Sequence, residues 1–252
     1  MKKSTLQHQK ITDIVGDNYV FASVLYYFGI RFYDYSEDTL AEVCQKNGLK
    51  PEYVIKKLEE SVAYDTDIKP EVFNYPIDLL LEYLRHAHFI FIKHKLPFIA
   101  SLIEGIKDFP VSHKEILEDL KMVFPLFVED FIHHIYQEED TLFHHIEVMQ
   151  KAVKGSYKPS ELYYQLEKHS MQRFAMEHDA HDDEMEGIRK ITQNYDDKDV
   201  SHIAIKVLYD ELKRLEKILQ IHAGIENEIL FPKALMLEKE VKQLLAEKSK
   251  WN

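Results

Sequence analysis

Residues that interrupt helices are scarce in this chain. Its 252 residues include only seven glycines and eight prolines, so few positions break regular secondary structure. Leu, Lys, Glu and Ile fill long stretches in which apolar residues recur every three or four positions, the pattern of amphipathic helices. The single cysteine, Cys44, excludes an internal disulfide. We therefore expect an all-α protein.

Long apolar runs and basic clusters are also lacking. The most apolar stretch, residues 88–103, is interrupted by Lys93, His94 and Lys95, whereas a membrane-spanning helix needs about 18 or more apolar residues in succession. The first residues lack the apolar core of a signal peptide. An excess of 44 Asp and Glu over 32 Lys and Arg leaves no concentrated basic face, which argues against nucleic acid as a partner. The sequence predicts a cytoplasmic protein that binds neither membrane nor nucleic acid.

The chain divides by pattern into two regions. Residues 1–65 predict a small N-terminal domain of short helices, and Tyr64 to Pro76 resembles a linker because it holds two prolines and few apolar anchors. Residues 75–247 contain four longer helical patterns, at 77–106, 113–153, 160–193 and 200–245. Short connections between such helices favour an antiparallel, up-down four-helix bundle.

Two histidines carry the first sign of a binding site. Of fourteen histidines, His134 and His222 alone have a glutamate four residues later, Glu138 and Glu226. A spacing of four residues places both side chains on one helix face, and in each case that face is apolar. Leu-Phe follows both pairs at the same offset, as Leu142-Phe143 and Leu230-Phe231. A carboxylate on a core face costs several kcal/mol unless something compensates its charge, so the repeated pair predicts a bound cation.

The other two long patterns each place a histidine on their inner face. Periodicity selects His88 in the first, where His86 and His94 are the alternatives. In the third it selects His178, followed one turn later by Asp182, and His181 remains an alternative there. His88 and His134 are 46 residues apart and His178 and His222 are 44 apart, which suggests a duplicated pair of helical hairpins.

The predicted ligand set is therefore His88, His134, Glu138, His178, His222 and Glu226. Imidazole and carboxylate ligands suit iron, manganese or zinc, and the open coordination positions that such a set leaves favour a redox-active pair of metals over a closed structural zinc. Glu139 lies one residue off the inner stripe and is expected to play no part. The remaining histidines share no pattern and are expected to be solvated or to support the ligands indirectly: His8, His113, His133, His144, His145, His169 and His202.

These motifs resemble the haemerythrin-like domain of the iron–sulfur cluster repair di-iron proteins, the regulator-of-cell-morphogenesis and nitric-oxide-signalling family. The matching segments are the first-helix histidine before Lys95-Leu96-Pro97, the two His-x-x-x-Glu motifs with their trailing Leu-Phe, and Met176-Glu177-His178-Asp179. The resemblance implies two iron ions bound by the six residues, with Glu138 and Glu226 bridging. It extends to Phe28-Gly29-Ile30-Arg31-Phe32 and to Thr39-Leu40-Ala41-Glu42-Val43-Cys44 in the N-terminal region, which resemble the small domain that precedes the bundle in this family.

The resemblance implies a function, and the chain departs from the family pattern at two places. By the resemblance, the protein binds or reduces nitric oxide or oxygen and supports repair of stress-damaged iron–sulfur clusters, with a diatomic gas and iron–sulfur proteins as partners. The first-helix histidine lies one residue further from Leu96-Pro97 than is usual, so His88 is selected by periodicity and not by alignment. Tyr33-Asp34-Tyr35-Ser36 stands where the family usually carries a Cys-Cys-Gly-Gly motif, so thiol chemistry is absent there. Two other functions compete: oxygen or iron sensing or storage without turnover, and a metal-free helical interaction module.

Overall fold

The structure is a computed structural model that describes residues 6–61, 70–107, 110–179, 183–198 and 200–249. Within these ranges the regular secondary structure is helical and includes no strand, apart from one isolated bridge between Lys10 and Thr39. The all-α prediction is therefore confirmed. None of the helices in the described ranges combines the length and apolar content that crossing a bilayer requires.

The N-terminal region consists of short helices whose ends follow local sequence signals. Thr39 forms a capping box with Glu42 at the start of one of them, which satisfies backbone N–H groups that the first helical turn leaves unpaired. Gly48 follows the end of the same helix with a φ of +66°, and Pro51 opens the next, as the sequence predicts. The helices are α1 (Ile11–Asp17), α2 (Val20–Tyr27), α3 (Leu40–Lys46) and α4 (Pro51–Ser61).

Three of the four longer patterns form long helical segments, each interrupted by a π-helical turn. The first comprises α5 (Ile77–Ile90), the π-turn Phe91–Lys95 and α6 (Leu96–Gly105). The second comprises α7 (Lys114–Gln137), the π-turn Glu138–Phe143 and α8 (His144–Val153). A π-turn widens the helix by one residue and occurs frequently at functional sites.

The third pattern was predicted as one helix over residues 160–193, and this prediction was wrong. The segment contains α9 (Pro159–Lys168), α10 (Met171–Asp179) and α11 (Glu186–Ile191). At the start of α10 the buried carboxylate of Glu238 accepts a hydrogen bond from the backbone N–H of Met171 at 3.0 Å. Such a contact caps the first turn of a helix.

The fourth pattern forms α12 (Ile203–Ile225), the π-turn Glu226–Leu230 and α13 (Phe231–Ser249).

The chain forms two compact units. The first contains Met1–Thr66, His94–Pro125 and Glu186–Glu216, and the second contains Asp67–Lys93, Leu126–Met185 and Lys217–Asn252. In the first unit α2 packs against α4. In the second, α13 packs against α8 and α10. The hydrophobic core of this unit includes buried side chains from α5, α8 and α13, such as Leu84, Ile146 and Ala234.

The segment that replaces the expected cysteine motif contacts α6 within the first unit through Tyr33, which is half-buried. The hydroxyl of Tyr33 lies 2.9 Å from the carbonyl oxygen of Ser101, to which it donates, and 2.8 Å from the Ser101 Oγ. Its ring packs so closely on α6 that a Cβ at Gly105 would lie 2.4 Å from it. A tyrosine with a packing role therefore occupies this position.

Candidate metal centre

Four metal-ligand side chains converge within the second unit. His88 comes from α5 and His222 from α12, while Glu138 and Glu226 are the first residues of the two π-turns that follow α7 and α12. One ligand atom from each lies within 4.8 Å of every other, and all four residues are buried. This buried group of imidazoles and carboxylates could hold a metal ion.

The distances within the group match coordination geometry. The Nε2 atoms of His88 and His222 are 3.0 Å apart, and two ligands bound at right angles about 2.1 Å from one ion lie about 3.0 Å apart. Glu226 Oε1 lies 3.3 Å from His222 Nε2. Glu226 and His88 are each 1% exposed, and burying charged carboxylates costs several kcal/mol without compensation. The donor set and its burial therefore fit a divalent cation.

Glu138 is placed between two imidazoles. Its Oε2 lies 3.5 Å from His88 Nε2, and its Oε1 lies 3.4 Å from His134 Nε2. The two oxygens of one carboxylate thus face nitrogens from different helices.

The two histidines beside Glu138 differ in electrostatic environment. Burial, and then the nearby His222, lower the pKa of His88 below its usual value, which favours the neutral imidazole that binds metals. The pKa of His134 is also subject to a large lowering by burial, but its hydrogen bond and charge interaction with Glu138 outweigh this and raise it. The His134 side chain is 29% exposed, so solvent reaches the group on that side.

Glu139, expected to lie off the site, contacts it directly. Its Oε1 lies 2.7 Å from Nδ1 of His88, on the opposite side of the imidazole from the cluster. The expectation failed because it assumed an uninterrupted α-helix, whereas Glu138 and Glu139 begin a π-turn. Leu-Phe follows each glutamate at offsets of four and five residues, but this repeat does not by itself indicate the wider turn.

The first of these repeated phenylalanines holds His88 from another side. The rings of Phe143 and His88 stack with a centroid distance of 5.6 Å and an interplanar angle of 5°. The guanidinium of Arg85 lies 5.6 Å from the centre of the Phe143 ring and is paired with Glu147 at 2.7 Å. The plane of the His88 ring is thereby fixed by packing.

Two predicted ligands, His134 and His178, are not part of the cluster of four described residues. His134 borders the cluster through Glu138. His178 belongs to α10, but its side chain is outside the described part, and His181 and Asp182 lie outside the described residues altogether. Among the alternatives to His88, His86 is exposed and lies near Phe89, and His94 contacts the ring of Tyr27. The structure therefore brings His88 to the cluster, as periodicity predicts.

One histidine that was expected to be solvated or supporting is instead deeply buried. His145 in α8 is 1% exposed, and neither of its ring nitrogens has a hydrogen-bond partner among the described residues. Burial first, and then the charge of His169, lower the pKa of His145 to about 4. Its ring contacts those of His169 and Phe174, so it belongs to the core of the second unit.

This burial predicts a pH-dependent stability. The unfolded chain binds a proton at His145 below about pH 6.5, whereas the folded chain does so only near pH 4. The unfolded state therefore binds more protons between these values, and stability falls by up to roughly 3 kcal/mol as the pH decreases through this window. Denaturant unfolding of the metal-free protein should show that the free energy of unfolding decreases less between pH 7 and pH 4.5 in His145→Leu than in the parent. The exposed neighbour provides the control His144→Leu, and equal losses in all three proteins would refute the assignment.

Neither a model of a known protein family nor a curated protein sequence matches the chain.

Proposed function

We propose that the chain is a cytoplasmic non-haem di-iron protein with a haemerythrin-like four-helix bundle. The observation that carries the proposal is the position of Glu138, whose two carboxylate oxygens face His88 and His134 within a buried group that also contains His222 and Glu226. A carboxylate between two imidazoles from different helices suits two metal ions better than one. His178 would complete the set through α10.

We propose that this centre binds or reduces nitric oxide or oxygen and thereby supports repair of stress-damaged iron–sulfur clusters. Bound iron would supply electrons and open coordination positions for a diatomic ligand. The chain's residues supply neutral imidazoles, carboxylates that offset the metal charge, and packing that excludes water around His88. Partial exposure of His134 leaves one side of the centre accessible to a small molecule.

The thiol content of the chain favours a second candidate function. Cys44, the single cysteine, is fully buried, and burial raises the pKa of its thiol, so it is a poor nucleophile. The half-buried Tyr33, hydrogen-bonded to Ser101, stands where the repair family usually carries cysteines. A protein without a reactive thiol fits oxygen or iron sensing or storage by the metal centre alone.

Anaerobic exposure to nitric oxide tests the proposal. We expect the visible absorption of the reduced, iron-loaded protein to change on addition of nitric oxide. Two nitric oxide molecules and two protons should then give one nitrous oxide and one water. The two electrons that this reduction needs would come one from each ferrous ion. Zinc-loaded protein is the control, since zinc is not redox-active. Absorption changes without nitrous oxide would support the sensing or storage function instead. If the iron-loaded protein responds neither to nitric oxide nor, in a parallel exposure, to oxygen, the binding and reduction of both gases are refuted.

A further inference from the structure

The imidazole of His88 is contacted at both of its nitrogens. Nε2 faces the cluster, 3.0 Å from His222 Nε2 and 3.5 Å from Glu138 Oε2. Nδ1 faces away from it and lies 2.7 Å from Glu139 Oε1. The His88 side chain is 2% exposed and that of Glu139 is 30% exposed, so the carboxylate reaches a buried ring from the edge of the core.

We propose that Glu139 is a positioning residue that fixes the tautomer and the orientation of His88. An ionised carboxylate can only accept hydrogen bonds, so Nδ1 of His88 must donate the proton. In a neutral imidazole the lone pair then resides on Nε2, the atom that faces Glu138 and His222. This inference rests on the proposed metal site and deepens it by adding a residue that prepares one ligand before the metal binds.

Packing and hydrogen bonding constrain different properties of His88. Stacking on Phe143, itself covered by Arg85, fixes the plane of the ring. Stacking cannot decide which nitrogen carries the proton, whereas the contact with Glu139 can. A carboxylate that accepts from a ligating histidine also makes that ligand more basic, and its removal typically lowers metal affinity about 10- to 100-fold.

Comparison of the two His-x-x-x-Glu motifs distinguishes the positioning role of Glu139 from the role of the metal ligands. Glu138 and Glu226 occupy the same position in the two His-x-x-x-Glu motifs, but the residue after them is Glu139 in the first and Asn227 in the second. The ligating carboxylates are thus repeated, and the carboxylate at position 139 is not. In the first motif this additional carboxylate contacts His88.

The test measures the tautomer in metal-free protein and the metal affinity separately. Long-range ¹H–¹⁵N NMR spectra of histidine-labelled protein, assigned with a His88→Gln variant, should show His88 protonated at Nδ1 in the parent. In Glu139→Ala we expect a mixture of tautomers and a Co²⁺ affinity about 10- to 100-fold lower, with partial recovery of both in Glu139→Asp. The control is Asp140→Asn, which removes one charge from an exposed residue of the same π-turn and should leave both quantities within about twofold of the parent.

The possible failures are distinguishable. If the parent binds Co²⁺ and Glu139→Ala matches it in tautomer and affinity, Glu139 has no positioning role, although the metal site stands. If the parent binds neither Co²⁺ nor Fe²⁺, the proposed function itself is refuted. A lower melting temperature of Glu139→Ala with unchanged tautomer and affinity would show an ordinary stabilising ion pair and would also overturn the inference.

Discussion

Glu138→Ala and Glu226→Ala should each lose most of the bound metal and all of the spectrum of a bridged pair. If both carboxylates bridge, each substitution removes a ligand from both ions. The expected loss of affinity exceeds the 10- to 100-fold that is typical when only a supporting residue is removed. Combining the two substitutions should add little, because residues that act as one unit are strongly non-additive. Metal analysis and visible spectra of the three variants measure these effects.

The structure supplies the matched control for this experiment. Glu139 is unsuitable because its carboxylate contacts His88, but Asp140 is exposed in the same π-turn, and Asp140→Ala should keep the parent's metal content. The bridged account would be contradicted if each single variant retained one ion with a normal mononuclear signal and only the double variant lost both.

Removal of the metal should lower the melting temperature by on the order of 10 °C. A ligand present at about 1,000 times its dissociation constant stabilises the folded state by about 4 kcal/mol, and each kcal/mol shifts the melting temperature of a chain of this size by about 2–4 °C. Without metal, two carboxyl groups and two imidazoles remain buried within 4.8 Å of one another, and the unfolded chain relieves this burial.

Calorimetry of the metal-loaded protein, the chelated protein and the chelated protein after reloading measures this effect. The double variant Glu138→Ala, Glu226→Ala provides the control, because its melting temperature should not respond to added metal. Equal melting temperatures for the loaded and chelated parent would show that the buried group contributes no metal-dependent stability.

Local spacing was sufficient to predict much of the site. The four-residue interval between His222 and Glu226 on an apolar stripe places both side chains inward in an α-helix, and the structure places them 3.3 Å apart. Periodicity also selected His88 over His86, because the apolar positions of α5 define its buried face before any tertiary contact is known.

Features that arise from tertiary contacts were not predictable in this way. The carboxylate that caps the first turn of α10 belongs to Glu238, 67 residues away along the chain. The role of Glu139 depends on a π-turn, and burial of His145 depends on the packing of α13 against α8. Each of these involves a residue whose own sequence neighbourhood resembles an ordinary solvated helix.

Quantitative metal analysis of the protein, expressed in iron-replete cells and purified without chelators or added metal, tests the central claim most directly. The account predicts about two irons per chain, because the ligand set and the position of Glu138 between His88 and His134 suit a dinuclear centre. An iron content near zero, or zinc alone under these conditions, would contradict it.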